Sequence, residues 1–210
     1  IRQLVETSDV TTWEIENINV DILLQLEQEG HNIIPSPKCL HIIQDKGVQN
    51  EFYRQYGIPV PNFARIFSQN ELDEILDTWE SDTLIVKHAV GGYDGKGVQK
   101  VNKGDHVLFV GNSMVVEECV DILNELSVIV CRNTNGDIYT YEPVSMFFSQ
   151  DNVLDYQISP AMITPGVMDK ANALAKNVVL AMNGVGVFAV EMFLTTEGEL
   201  LVNETAPRVH

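Results

Sequence analysis

Residues 87–97 read KHAVGGYDGKG, a strand-like run that opens into a loop with four glycines in seven residues. Glycine reaches backbone conformations that other residues avoid, so backbone N–H groups in such a loop can approach an anion closely. Lys87 and Lys96 would add positive charge beside it. The loop lacks the Gly-Lys-Ser/Thr ending of a P-loop, and no G-x-G-x-x-G opens a helix there. The stretch therefore predicts either a lid over phosphates or an ordinary hairpin turn, between which the rest of the chain must decide.

Two apolar runs near the C-terminus predict a β-hairpin. Residues 187–194 and 199–204 flank Glu197-Gly198, a dipeptide suited to a two-residue turn. If that dipeptide forms the turn, Glu191 lies directly opposite Glu204, and paired residues share one face of a sheet. The sequence thus places two carboxylates side by side.

Two opposed glutamates repel each other at a Cβ separation of about 5 Å unless something compensates their charge. Magnesium is commonly held by one or two carboxylates together with substrate phosphates, so Glu191 and Glu204 predict a metal site. Asn203 falls on the other face of the strand unless a bulge shifts the register. The alternative is a solvated glutamate on an edge strand, which the apolar neighbours Val190 and Val202 disfavour.

Several segments, in one order along the whole chain, resemble the ATP-grasp superfamily and, within it, the family of 5-(carboxyamino)imidazole ribonucleotide synthases. They are residues 12–17, 44–46, 87 with 91–97, 117–118, 125–127 and 203–210. The resemblance implies an α+β fold in which two α/β lobes with antiparallel sheets grip ATP. Residues 1–60 would be the tail of a preceding nucleotide-binding-like α/β domain with connecting helices, and residues 61–210 an ATP-grasp domain that is incomplete at its C-terminus.

The same resemblance implies a ligase of purine biosynthesis. Such an enzyme cleaves ATP to ADP and phosphate while joining bicarbonate to the exocyclic amine of aminoimidazole ribonucleotide, through carboxyphosphate. It would use ATP and Mg²⁺, with Mn²⁺ as a substitute, and would act as a homodimer. Two alternatives stay open, namely another ATP-grasp carboxylate–amine ligase and a non-catalytic nucleotide-binding fragment.

Residue roles follow from the resemblance, position by position. Nucleotide binding would involve Lys46 and Lys87 at the phosphates, Gly92, Tyr93, Asp94, Gly95, Lys96, Gly97 and Val98 in the lid, Glu117, Glu118, Cys119 and Val120 along the adenine, Glu125 at the ribose, and Asn203 with Glu204. Glu191 and Glu204 would bind magnesium. Catalytic roles would fall to Tyr93, Asp94 and Lys96 at the imidazole ribonucleotide, and to Arg208 and His210 at bicarbonate or carboxyphosphate.

The chain departs from the family pattern at two places. Asn50 stands where a lysine is expected after Gln49, and residues 146–149 lack a histidine that is expected near the nucleotide. Neither departure touches the magnesium pair.

Composition narrows the class of protein. With 210 residues and 45% apolar content, the chain can bury a sizeable core. A formal net charge of −17 argues against a nucleic-acid or membrane-surface partner, because polyanions would be repelled. No apolar run is long enough to span a bilayer, and the three cysteines show no metal or redox spacing. These features predict a cytoplasmic protein.

Periodicity gives a coarse secondary structure. Helices are expected at 21–29, 37–43 and 169–182, and two more are expected, one that ends at Gly57 and one that begins after Asn70. Strands are expected at 83–88, 98–101, 126–132, 187–194 and 199–204. Residues 149–165, with two prolines and mixed polarity, predict an irregular connection.

Overall fold

Four short helices form the first quarter of the chain. In this computed structural model, which describes residues 1–91, 97–149 and 153–209, they are α1 (Arg2–Glu6), α2 (Val20–Gln28), α3 (Pro37–Ile43) and α4 (Lys46–Gln55). The last three begin at side-chain caps, because Asn19, Ser36 and Asp45 each accept a hydrogen bond from a backbone N–H in the first turn. The helix predicted at 37–43 is confirmed, and the first predicted helix begins one residue earlier than expected.

The first sheet contains four antiparallel strands in the order β1-β4-β2-β3. These are β1 (Phe63–Ile66), β2 (Thr83–His88), β3 (Val98–Asn102) and β4 (Met114–Glu118), and α5 (Gln69–Thr78) lies between β1 and β2 in the chain. Leu72 and Leu76 of α5 pack against Leu84, Val86 and other buried side chains of this sheet. Since β2 and β3 pair directly, the glycine-rich loop connects two antiparallel strands.

The second sheet carries the C-terminal hairpin. Its strands are β5 (Ile122–Arg132), β6 (Ile138–Thr140), β7 (Val144–Phe148), β8 (Leu154–Ile158), β9 (Gly186–Thr195) and β10 (Leu200–Ala206). They lie in the order β10-β9-β5-β7-β8, with β6 beside β5. The irregular connection predicted at 149–165 is wrong over β8. That strand is the exposed edge of the sheet, and its five residues, LDYQI, do alternate between apolar and polar, a short pattern that the prediction overlooked ahead of the two prolines.

Helix α6 (Pro165–Ala181) covers one face of the second sheet. Its buried residues Ala171, Ala175, Val178 and Val179 pack on the sheet face that includes Leu126, Val128, Val130, Phe188, Val190, Met192 and Val202. Helices α3 and α4 add Cys39, Ile43 and Tyr53 to the same core. Glu191 lies on the opposite face of the sheet, outside this apolar core.

The architecture of helices and two antiparallel sheets confirms the α+β fold class. The division at residue 60 into two domains stays a prediction. None of the described helices combines the length and apolar character needed to cross a membrane.

Candidate functional site

Strands β9 and β10 bring the two predicted metal ligands opposite each other, although by a different route from the one expected. The connecting loop is one residue longer than the predicted two-residue turn, and it ends at Gly198, whose φ is +83°. The register is therefore displaced by one residue as far as Val202. A β-bulge between Val202 and Glu204 removes the displacement, and Glu204 pairs with Glu191.

The bulge turns Asn203 toward the carboxylates. Its side-chain N–H₂ donates to Glu191 Oε2 over 3.3 Å, and its Oδ1 accepts from Lys87 Nζ at 3.2 Å. Regular alternation would have sent this side chain to the other face, so the predicted condition, a bulge that shifts the register, is met. Asn203 consequently links the first sheet to the second.

Lys46 lies at the start of α4, directly after the capping residue Asp45. Its ammonium pairs with Glu204, and its backbone N–H donates to Ala89 O at 2.8 Å, at the base of the glycine-rich loop. Burial lowers the pKa of Lys46, but the Glu204, Glu117 and Glu191 carboxylates together raise that pKa above its ordinary value. The lysine therefore stays cationic at neutral pH.

Lys87 lies on β2 in a buried setting, with 8% of its surface exposed. Its Nζ is 2.7 Å from Glu117 Oε2, and Asn50 Nδ2 donates to the other oxygen of the same carboxylate at 3.0 Å. Lys87 and Asn50 thus each hold one oxygen of the Glu117 carboxylate. The segment that follows it, up to Val120, joins β4 to β5 and so connects the two sheets.

Glu125 lies on β5, on the same sheet face as Glu191, which is paired with Ser127. The pKa of Glu125 is raised to about 7, chiefly by burial and in addition by the Glu191 charge, while Lys87 opposes both effects. These interactions show that the predicted ribose residue lies within electrostatic reach of Glu191 and of Lys87.

Arg208, near the C-terminus, pairs with a residue of the N-terminal motif at 12–17. Its Nε is 3.1 Å from Glu16 Oε1. Gln44 Nε2 donates to the backbone oxygens of Glu16 and Ile18, at 2.6 and 2.8 Å, and so holds the loop that presents Glu16. Three sequence segments that carry the family resemblance, 12–17, 44–46 and 203–210, are therefore in contact.

The glycine-rich loop is described only at its two ends. Val98 pairs with Lys87, and His88 N donates to Gly97 O at 2.7 Å. Gly97 has a φ of +80°, and a Cβ there would come within 3.0 Å of the His88 ring, so both conformation and space require glycine. The predicted lid and catalytic residues Gly92, Tyr93, Asp94, Gly95, Lys96 and His210 lie outside the described residues.

Two contacts of the site escaped the sequence analysis. Asn50 stood out only as a departure from the family pattern, and its bond to Glu117 joins residues 67 positions apart. Glu16 was one of two glutamates in its motif, and nothing in the sequence singles it out as the partner of Arg208. Both contacts depend on tertiary packing rather than on local spacing.

Two lysines and several carboxylates, from buried to partly exposed, thus come together from α4 and both antiparallel sheets. The sequence matches the family model described as ATP-grasp domain over residues 51–210, and the chain belongs to that family. It is also similar to the N5-carboxyaminoimidazole ribonucleotide synthase of Bacillus subtilis (strain 168), at 36% identity over 100% of this chain and 56% of the relative.

Solved structures agree with this relationship. The N5-carboxyaminoimidazole ribonucleotide synthetase of Thermotoga maritima is 39% identical and superposes with a TM-score of 0.86 over 100% of this chain and 54% of its own. The Aspergillus clavatus N5-carboxyaminoimidazole synthase, solved in complex with ADP and 5-aminoimidazole ribonucleotide, has 28% identity and a TM-score of 0.86 over 100% and 55%. The predicted family is confirmed, and this chain spans little more than half the length of these relatives.

Proposed function

We propose that this chain carries the nucleotide- and magnesium-binding part of a C–N ligase of purine biosynthesis. The reaction joins bicarbonate to the amine of 5-aminoimidazole ribonucleotide and yields N5-carboxyaminoimidazole ribonucleotide, ADP and phosphate. The observation that carries the proposal is the convergence of Lys46 and Lys87 on Glu204, Glu117 and the Asn203–Glu191 pair. Relatives of the same family support the choice of substrate, because one is named as a complex with ADP and this ribonucleotide.

The two lysines suit a polyphosphate. Each is a compact point charge with three donors, and each already pairs with a carboxylate oxygen. A bound phosphate chain would replace carboxylate oxygens by phosphate oxygens around the same ammonium groups. Lys46 also lies at the N-terminus of α4, where the helix dipole favours negative charge.

The carboxylate pair fits magnesium. Among the described residues, no group of three or more His, Cys, Asp or Glu side chains is arranged to hold a metal ion. Glu191 and Glu204 face each other on adjacent strands, which matches an ion bound by two carboxylates and completed by phosphate oxygens and water. Magnesium bound there would neutralise charge on the transferred phosphoryl group.

The chemistry proceeds in two displacements. A bicarbonate oxygen attacks the γ-phosphorus of ATP, the bond to the bridging oxygen breaks, and ADP leaves with carboxyphosphate as the product. The amine nitrogen then attacks the carboxyl carbon, the C–O bond to phosphate breaks, and the nitrogen loses a proton. By resemblance, Arg208 would stabilise the anionic oxygens of carboxyphosphate, a role in which a guanidinium fork is effective. By resemblance, Tyr93, Asp94, Lys96 and His210 would border the ribonucleotide and bicarbonate.

Phosphate release from magnesium ATP in bicarbonate buffer, with and without 5-aminoimidazole ribonucleotide, tests the proposal, and the Bacillus subtilis relative serves as the positive control. Stimulation of this chain by the ribonucleotide is the expected result. Stimulation by a different amine instead would favour another ATP-grasp ligase. Nucleotide binding without turnover would favour a binding-only fragment.

The metal assignment has its own test. Changing Glu204 to alanine should abolish magnesium-dependent phosphate release and magnesium-dependent ADP binding, because the opposed carboxylate alone is a poor ligand set. Glu197→Ala, in the exposed loop of the same hairpin, is the matched control and should behave as the unmodified chain. Retained turnover in Glu204→Ala would remove this assignment. The homodimer stays an expectation from the resemblance.

A further inference from the structure

A buried chain of polar contacts runs from helix α4 to the metal pair. Asn50 Nδ2 donates to Glu117 Oε1 at 3.0 Å, Glu117 Oε2 is 2.7 Å from Lys87 Nζ, and Lys87 Nζ donates to Asn203 Oδ1 at 3.2 Å. Asn203 in turn donates to Glu191. Asn50, Glu117 and Lys87 are 3%, 4% and 8% exposed, so water offers little competition for these contacts.

We propose that Asn50 is a positioning residue, which orients the Lys87 ammonium for nucleotide phosphate through the Glu117 carboxylate. The inference rests on the proposed nucleotide-binding function. Asn50 contacts Glu117 rather than Lys87, so its effect on phosphate must pass through that carboxylate.

The geometry explains why the second contact to Glu117 matters. A glutamate held at one oxygen can still turn about its terminal bonds, because the last torsion of the side chain is broad. The Asn50 amide fixes the other oxygen and therefore the plane of the carboxylate. Lys87 has three N–H donors, and Glu117 and Asn203 direct two of them, so the direction of the third is set as well.

The Asn50 side chain is neutral, which suits it to a carboxylate that already has a cation. A buried carboxylate needs a partner at each oxygen, and an unsatisfied one is costly. An amide meets that need without bringing a second cation that would compete with Lys87 for Glu117. The Glu117 charge is therefore kept for Lys87, and the pair holds one orientation.

The decisive experiment measures ADP affinity of the full chain by calorimetric titration in magnesium buffer. Asn50→Leu keeps the size of the side chain but removes its donor. We expect it to weaken ADP binding about tenfold, the scale of one hydrogen bond to a charged group. In a Lys87→Met background the same substitution should change the affinity less than about twofold, since its effect acts through Lys87.

A matched control separates positioning from general destabilisation. Tyr53→Phe removes a hydrogen bond from the same helix, between the fully buried Tyr53 hydroxyl and Thr205 Oγ1, and leaves the Asn50 chain intact. It should lower the melting temperature but leave ADP affinity unchanged. Equal loss of affinity on Asn50→Leu in both Lys87 backgrounds, or no loss in the unmodified background, would overturn the inference.

A second measurement covers the case in which Lys87→Met does not fold. Acetylation of lysines by limiting acetic anhydride, in which the amine displaces acetate, followed by mass spectrometry, reports how firmly each ammonium is held. Asn50→Leu should speed acetylation at Lys87 and leave Lys46, which pairs with Glu204 instead, at its original rate. Unchanged acetylation at Lys87 would contradict the proposal. If the unmodified chain binds no ADP at all, the proposed function itself fails.

Discussion

Replacing Lys87 by methionine should destabilise the fold strongly, because it leaves the Glu117 carboxylate buried without its cation. The side chains of the pair are 10% and 5% exposed, and the charged atoms are 2.7 Å apart. At an effective dielectric constant of about 20, that separation corresponds to a gross attraction of roughly 6 kcal/mol, much of which offsets the desolvation of both groups. Removal of one partner from such a pair costs about 3–5 kcal/mol, and the Asn50 bond that remains places this case at the lower end, about 3 kcal/mol.

Urea unfolding at pH 7, followed by circular dichroism, measures the loss. A double variant, Lys87→Met with Glu117→Gln, should regain most of the lost stability, because the buried group is then neutral and can still accept from Asn50. Lys100→Met, an exposed lysine on the neighbouring strand β3, should change the free energy of unfolding by less than about 0.5 kcal/mol. A loss below about 1 kcal/mol in Lys87→Met, or a double variant no more stable than the single, would refute the reasoning about the buried pair.

Two further substitutions test the electrostatics and the core of the second sheet. The pKa of Glu125 is raised in the folded chain from 4.5 to about 7, so the folded chain should lose stability as pH rises through that window and the carboxyl group ionises. The expected loss is up to about 2 kcal/mol after allowance for partial exposure. Urea midpoints at pH 5 and pH 8 should show this loss in the unmodified chain and not in Glu125→Gln. Phe188→Ala, at a fully buried position beneath α6, should cost about 3–5 kcal/mol in the same assay, and a loss under about 1 kcal/mol would contradict the packing of that core.

The strongest local patterns predicted the fold best. Helix α6 and strands β9 and β10 carry long apolar periodicity, and each was predicted, although α6 begins four residues earlier than expected, at Pro165. Strands β1, β4 and β7 are only four or five residues long and were not predicted. In β4 the burial is continuous rather than alternating, because the strand lies inside the sheet between β1 and β2. Such short strands are recognised through their neighbours rather than through their own sequence.

The candidate site likewise has parts that the sequence predicted and parts that it did not. Pairing arithmetic placed Glu191 opposite Glu204 from the sequence alone, and that pairing is present. It was reached through two deviations that cancel, a longer loop and a bulge, neither of which the turn residues reveal. Contacts between distant segments, such as Glu16 with Arg208, are set by the packing of whole elements and leave no local signature.

The bulge in β10 has a consequence that a regular strand could not produce. Successive side chains of a strand point to opposite faces, so a regular β10 would present either Asn203 or Glu204 on the face that meets the two lysines, but not both. The extra residue turns both toward the same side, where Asn203 meets Lys87 from the first sheet and Glu204 meets Lys46 from α4. A single strand thereby reaches two lysines carried by different elements. Loss of the bulge would therefore keep one of these contacts, Asn203 with Lys87 or Glu204 with Lys46, and abolish the other.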